Sequence, residues 1–91
     1  MTTSSNPLIT ALEAILADAS PRLRLPVEEV LVIRVEAARW PDSCLGLGER
    51  GEACAEVMTR GYRVRLRGGT TYRTDLNGNI RLEKRTIARP E

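Results

Sequence analysis

The sequence predicts an α+β domain: one N-terminal helix packed on an antiparallel sheet of about four strands, with an ordered loop over 40–54 at one edge. Three observations point there. Leu8, Leu12, Ile15, Leu16 and Ala19 recur at helical spacing, forming one apolar stripe. Residues 30–38 are rich in Val, Ile and Leu and alternate with charge, as a strand does. Tyr62, Val64 and Leu66 alternate with Arg63, Arg65 and Arg67, followed by two turn signals, Gly68-Gly69 and Asn77-Gly78.

Met1 to Ser5 are small and polar and read as a disordered tail. Asn6 then offers a side-chain cap, and Pro7 suits the first helical position. The helix is expected over about 7–19, ended by Ser20-Pro21. Arg22 to Glu29 is a connection in which Pro26 favours extended backbone before it and Pro26 to Val30 can add a short helical turn. In the strand at 30–38, Leu31, Ile33, Val35 and Ala37 share one face. Val32, Arg34 and Glu36 share the other, and the valines among these charges suggest that this face is partly covered. Trp40, Leu45 and Leu47 give the glycine-rich loop that follows something to bury. Ala53 to Met58 is a short strand or a turn of helix, 61–84 a three-stranded meander, and 86–91 a patternless tail. The whole is one domain over 6–85.

The meander's register follows from keeping one face apolar. A two-residue Gly68-Gly69 loop would set Val64 against Arg73 and mix the faces. A three-residue loop of Gly68, Gly69 and Thr70 pairs Leu66 with Tyr72, Val64 with Thr74 and Tyr62 with Leu76. A second loop, Asn77-Gly78-Asn79, pairs Leu76 with Ile80 and Thr74 with Leu82. Tyr62, Val64, Leu66, Tyr72, Leu76, Ile80 and Leu82 then share a face. On the opposite face Asp75 meets Arg81 and Arg73 meets Glu83, each pair worth about 0.2–1 kcal/mol, while Arg65 meets Arg73 unfavourably.

At 42% hydrophobic and 29% charged the chain is globular, and with no Phe its core must be aliphatic. The absence of His excludes serine–histidine and cysteine–histidine catalysis and histidine metal ligands. Glu13 interrupts the N-terminal apolar stretch and no Lys or Arg precedes it, so it makes a poor signal peptide, and no run reaches a membrane span. A cytoplasmic location is expected. Charge is uneven: residues 1–59 hold five Arg against nine acids, and 60–91 hold nine basic residues against three.

The block Trp40-Pro41-Asp42-Ser43-Cys44-Leu45-Gly46, with Gly51, Cys54, Gly61-Tyr62-Arg63-Val64 and Tyr72-Arg73-Thr74-Asp75, resembles a poorly characterised module of bacterial small proteins and lipoproteins. The resemblance covers roughly 8–83 and implies the helix, strand, loop and hairpin order. That order, with its Asp-x-x-Gly turn, also resembles PepSY-type domains, in which a helix lies across an antiparallel sheet and the module binds or inhibits a partner. Many relatives are exported, and in such a protein Cys44 and Cys54 would pair as a disulfide; in a reducing cytoplasm they would be free thiols.

Other signals are bland. Gly46, Gly48 and Gly51 make a GxGxxG spacing, but no strand feeds it and no long helix leaves it, so it is not a nucleotide site. Asp42 and Ser43 read as a turn after proline. Two cysteines without His or a CxxC leave a metal incompletely held. No catalytic residue, cofactor or metal is expected. The informative feature is basic: Arg63, Arg65, Arg67, Arg73 and Arg81 project from one side of the meander. The expected function is a non-enzymatic interaction module (adaptor, assembly factor or inhibitor) that docks an acidic protein through these arginines, with Trp40 and the cysteine loop as a second contact. Nucleic acid is the competing partner for the same face. An open sheet edge would also let two copies pair.

Overall fold

The computed structural model describes residues 6–83, so the expectations for 1–5 and 86–91 lie outside it. Helix α1 spans Pro7–Leu23, a single 3₁₀ turn Val27–Glu29, and four strands follow: β1 Val32–Trp40, β2 Thr59–Leu66, β3 Thr71–Asp75 and β4 Ile80–Leu82. They form one antiparallel sheet in the order β1-β2-β3-β4, with α1 lying over β3 and β4. This is the α+β arrangement the pattern called for. No helix among the described residues is long and apolar enough to cross a membrane.

Asn6 caps α1 as expected, its side-chain oxygen accepting from the Leu8 and Ile9 amides at 2.9 and 3.3 Å. The helix runs one turn past its predicted end, with Pro21 inside it. Proline frees the carbonyl four residues earlier, and Ala17 is exposed, so water can satisfy it. The extra turn has compensations. Leu23 packs on the core, Arg22 pairs with Asp18 at 2.7 Å, and Arg24 ends the helix in the left-handed conformation.

Both hairpin loops hold three residues, but each lies one residue earlier than expected. The observed pairs are Val64–Tyr72, Tyr62–Thr74, Tyr72–Leu82 and Thr74–Ile80. The loops are therefore Arg67-Gly68-Gly69 and Leu76-Asn77-Gly78. In each the last position carries the glycine with positive φ, 101° at Gly69 and 87° at Gly78, which is where a three-residue hairpin demands it. Parity is kept, so the same residues share a face, except that Leu76 moves into a turn and is 44% exposed. Asp75 does not meet Arg81. Its carboxylate accepts from the Asn77 and Asn79 amides and the Asn79 side chain, holding the second turn. In register Arg73 stands opposite Arg63 and Arg81 instead of Arg65 and Glu83, while its guanidinium still reaches Glu83 at 2.9 Å.

The core lies between α1 and the inner part of the sheet. Ile15, Ala19, Val64, Leu66 and Tyr72 are fully buried there, with Val30, Leu12, Leu16, Leu23, Ile80 and Leu82 around them. Burying a side chain of this size is worth about 1.5–3 kcal/mol. The Tyr72 hydroxyl is not left unpaired: it donates to Asp18 at 2.6 Å. Strand β1 departs from expectation. Its register shifts between Val32 and Arg34, making Ile33 the extra residue of a bulge and setting Val32 opposite Leu66. Strand β1 is exposed on both faces from Val32 to Ala37, with Ala38 half-buried and Trp40 buried. Residues 53–58 form neither strand nor helix.

Candidate functional site

The face of the sheet away from α1 carries Arg34, Glu36 and Trp40 of β1, Arg63 and Arg65 of β2, Arg73 of β3 and Arg81 of β4, all in phase by the observed register. Arg67 stands apart in the β2–β3 turn. The 41–58 segment folds across the Trp40–Arg73–Arg81 end of this face, and side chains from both sides hold it there.

Trp40 is the floor of that contact. It is 7% exposed, and its indole N–H donates to the Thr74 carbonyl at 2.9 Å. Gly61 makes room beside it, since a Cβ there would overlap the Thr74 carbonyl oxygen. The Arg73 guanidinium lies over the Trp40 ring, 4.5 Å from its centroid. It also donates to the Leu45 carbonyl at 2.7 Å and to Glu83 at 2.9 Å. Arg81 donates to the Leu47 carbonyl at 3.2 Å and forms an ion pair with Glu52.

Within the segment Asp42, Ser43, Cys44, Leu45 and Gly46 of the Trp-Pro-Asp-Ser-Cys-Leu-Gly block each have a visible task. Asp42 accepts from the Cys44 and Gly46 amides, both at 2.9 Å, as the turn reading required. Ser43 exchanges bonds with Ala55: its amide donates to the Ala55 carbonyl at 2.9 Å, and its hydroxyl accepts from the Ala55 amide at 2.8 Å. Cys44 and Cys54 form a disulfide with Cα atoms 5.5 Å apart. Leu45 is 1% exposed and holds φ 60°, a costly conformation that burial and the Arg73 bond support. Gly46 has φ 74°, and a Cβ there would sit 2.8 Å from Arg73 Nη1. A Cβ on Gly48 would reach 2.7 Å from Cys54 Sγ. Of the three spaced glycines, then, Gly48 allows close packing on the disulfide and Gly46 on Arg73, while Gly51 is in open space with φ 84°.

The charges are arranged in alternation. Glu83 lies between Arg63, whose fork reaches it at 2.8–3.3 Å, and Arg73. Burial pushes the Glu83 carboxyl up, but hydrogen bonds from Arg73 and Arg63 hold it below its ordinary value. Arg81 and the Glu49 amide hold the Glu52 carboxyl at about 2. Toward β1 the face is open. A shallow hollow of about 170 Å³ is lined by Arg34, Glu36, Arg63, Arg65 and Thr71. Arg34 and Glu36 pair at 2.9 Å along β1, and among the described residues Arg65 forms no ion pair. Asp42, Cys44 and Cys54 also lie close together. With both sulfurs in the disulfide and an Asp42 oxygen capping its turn, that trio is not a metal-binding set.

A family model matches residues 12–82, and its description is Domain of unknown function (DUF8738). The chain belongs to this family. No curated protein and no solved structure matches it.

In this DUF8738 chain, Arg63, Arg65, Arg73 and Arg81 are brought onto one face, with Trp40 at its floor and Arg67 in the turn. Their surroundings divide them. Arg73 and Arg81 are turned to the 41–58 segment, while Arg65, with Arg34 and part of Arg63, faces outward. Sequence reading set Glu83 against Arg73 but passed over Arg34 and the clamping acid Glu52. The alternation at 30–38 did mark Arg34 and Glu36 as sharing a face. Which strand lay beside them had no local signal.

Proposed function

We propose that this DUF8738 domain is a small non-enzymatic interaction module that docks an acidic segment of a partner protein on its arginine-bearing sheet face, with Arg34, Arg63 and Arg65 as the contact. The observation that carries the reading is the open hollow between these arginines, where a carboxylate can take a forked guanidinium without displacing the 41–58 clamp. Arg73 and Arg81 support the site by keeping the rest of the face in place. The helix-over-sheet order that resembles PepSY-type domains agrees with a binding role.

Two features weigh against nucleic acid. Trp40 is buried beneath Arg73, leaving no aromatic on this face for a base to stack upon. Glu36, Glu52 and Glu83 interrupt the arginines, which suits discrete carboxylates better than a phosphate track. Against a catalytic reading, among the described residues no Ser, Thr or Cys side chain bonds to a carboxylate, and the Tyr72 hydroxyl that does belongs to the helix–sheet packing. The Cys44–Cys54 bond favours an oxidising compartment over the cytoplasm expected from the sequence.

The test is binding of a glutamate-rich peptide and of a single-stranded oligonucleotide to the native chain and to Arg65→Glu. The peptide should bind, and the substitution should weaken it at least about tenfold. Peptide affinity untouched by Arg65→Glu would refute the docking site. Tight oligonucleotide binding that collapses with added salt would move the assignment to nucleic acid.

A further inference from the structure

Strand β1 ends the sheet, and among the described residues nothing pairs with its outer edge. It is nine residues long, holds neither Pro nor Lys, and it and the residue before it expose Leu31, Val32, Ile33 and Val35 at 43, 36, 57 and 38%. Native edges of this length are usually blocked by such residues or covered, because an open ladder accepts another strand. We infer that β1 pairs antiparallel with β1 of a second copy, about a two-fold axis through Val35.

The backbone phase comes first. Leu66 donates to Thr70, across the β2–β3 hairpin, so Val64 and Tyr62 turn their amides and carbonyls the same way. Arg65, Arg63 and Gly61 then turn theirs to β1, where they meet Arg34, Glu36 and Ala38. The backbone groups of Val35, Ala37 and Arg39 are left pointing outward. A second β1 must match outward groups with outward groups, which confines the seam to alternate registers.

Charge then chooses among the central ones. Setting Val35 opposite Ile33 of the second copy brings Arg34 against Arg34. Setting it opposite Ala37 brings Glu36 against Glu36. Setting Val35 opposite Val35 places Arg34 against Glu36 of the second copy, twice by symmetry, with Ile33 facing Ala37 on each side. This is the self-complementary arrangement a two-fold interface requires. Arg34 and Glu36 already reach each other along their own strand at 2.9 Å, so both side chains lie on the seam's arginine-bearing side. The opposite side joins the exposed valines of the two copies. The result is a continuous eight-stranded sheet with both helices on one face. The bulge at Ile33 limits regular pairing to the middle of the strand, which favours a closed pair over an extending stack.

Sedimentation and light scattering of the native, oxidised chain across a wide concentration range read this directly. A dimer is expected. Glu36→Arg should raise its dissociation constant at least about tenfold by placing Arg against Arg, and the Arg34→Glu/Glu36→Arg exchange should restore it. Val35→Lys, on an exposed position, should give a folded monomer by circular dichroism. In that variant the Val35 and Ala37 neighbourhood should lose amide protection. A native chain that is monomeric at every concentration overturns the proposal. So does a dimer indifferent to both Glu36→Arg and Val35→Lys, since it would be built on another surface.

Discussion

Gly61 shows how much one residue can carry. It lies in the middle of β2, where a side chain would collide with the Thr74 carbonyl that the Trp40 indole uses as its acceptor. Glycine in a strand interior is normally a weakness, and here it is the condition for close approach. Gly61→Ala should therefore destabilise the fold by about 1–3 kcal/mol in chemical denaturation, with a shift in Trp40 fluorescence as the ring is displaced. Arg73 is the counterpart on the next strand: one guanidinium covers the ring, holds the Leu45 carbonyl and pairs with Glu83. Lysine has no planar fork with which to do all three.

The 41–58 segment owes its order to few bonds placed at its ends and middle. Disulfide, Ser43–Ala55 exchange, and the two arginine contacts each tie a different point. Opening the disulfide with reductant should cost about 2–3 kcal/mol, the value for a loop of this length. The loss should be local. Amide exchange is expected to quicken across 41–58 while the β2 and β3 amides stay protected, because the helix–sheet core shares no residue with the disulfide loop. Uniform loss of protection would show that the segment and the core unfold together.

Across the whole molecule, the two faces of the sheet are stabilised by different forces. One is apolar burial against α1; the other is a mesh of ion pairs and backbone contacts that responds to pH. Glu52, ordinarily near 4.5, is held at about 2 by Arg81. A lowered folded value means that its contribution is complete above the ordinary value and disappears as pH falls through the folded one. Glu83, on the same face, shifts in the same direction. The stability difference between the native chain and Glu52→Gln should thus be constant above about pH 5 and shrink to nothing near pH 2, measured by denaturant titration at each pH. Acid should loosen the 41–58 segment before the apolar side gives way.

Local rules were sufficient for the elements themselves. Apolar spacing, the Asn6-Pro7 start, strand alternation and the glycine turns specified a helix and a four-stranded sheet, because each depends on residues a few positions apart. They were also sufficient for the phase of the meander, since a slip of one residue would have turned Val64 and Tyr72 to water. A slip of two keeps that phase, so hairpin register was settled by where Gly69 and Gly78 had to stand. The burial of β1 and the employment of the arginines lay beyond local pattern. The alternation put Val35 with Leu31, Ile33 and Ala37 on one face and read the Val32 face as partly covered, yet α1 lies over β3 and β4 and leaves both valines exposed. Arg73 and Arg65 look alike in the sequence. One is held by a tryptophan 33 positions earlier and a carbonyl 28 positions earlier, while the other meets solvent. That difference arises only when a distant segment is laid across the sheet, since a long side chain takes its partner from whatever surface the fold brings within reach.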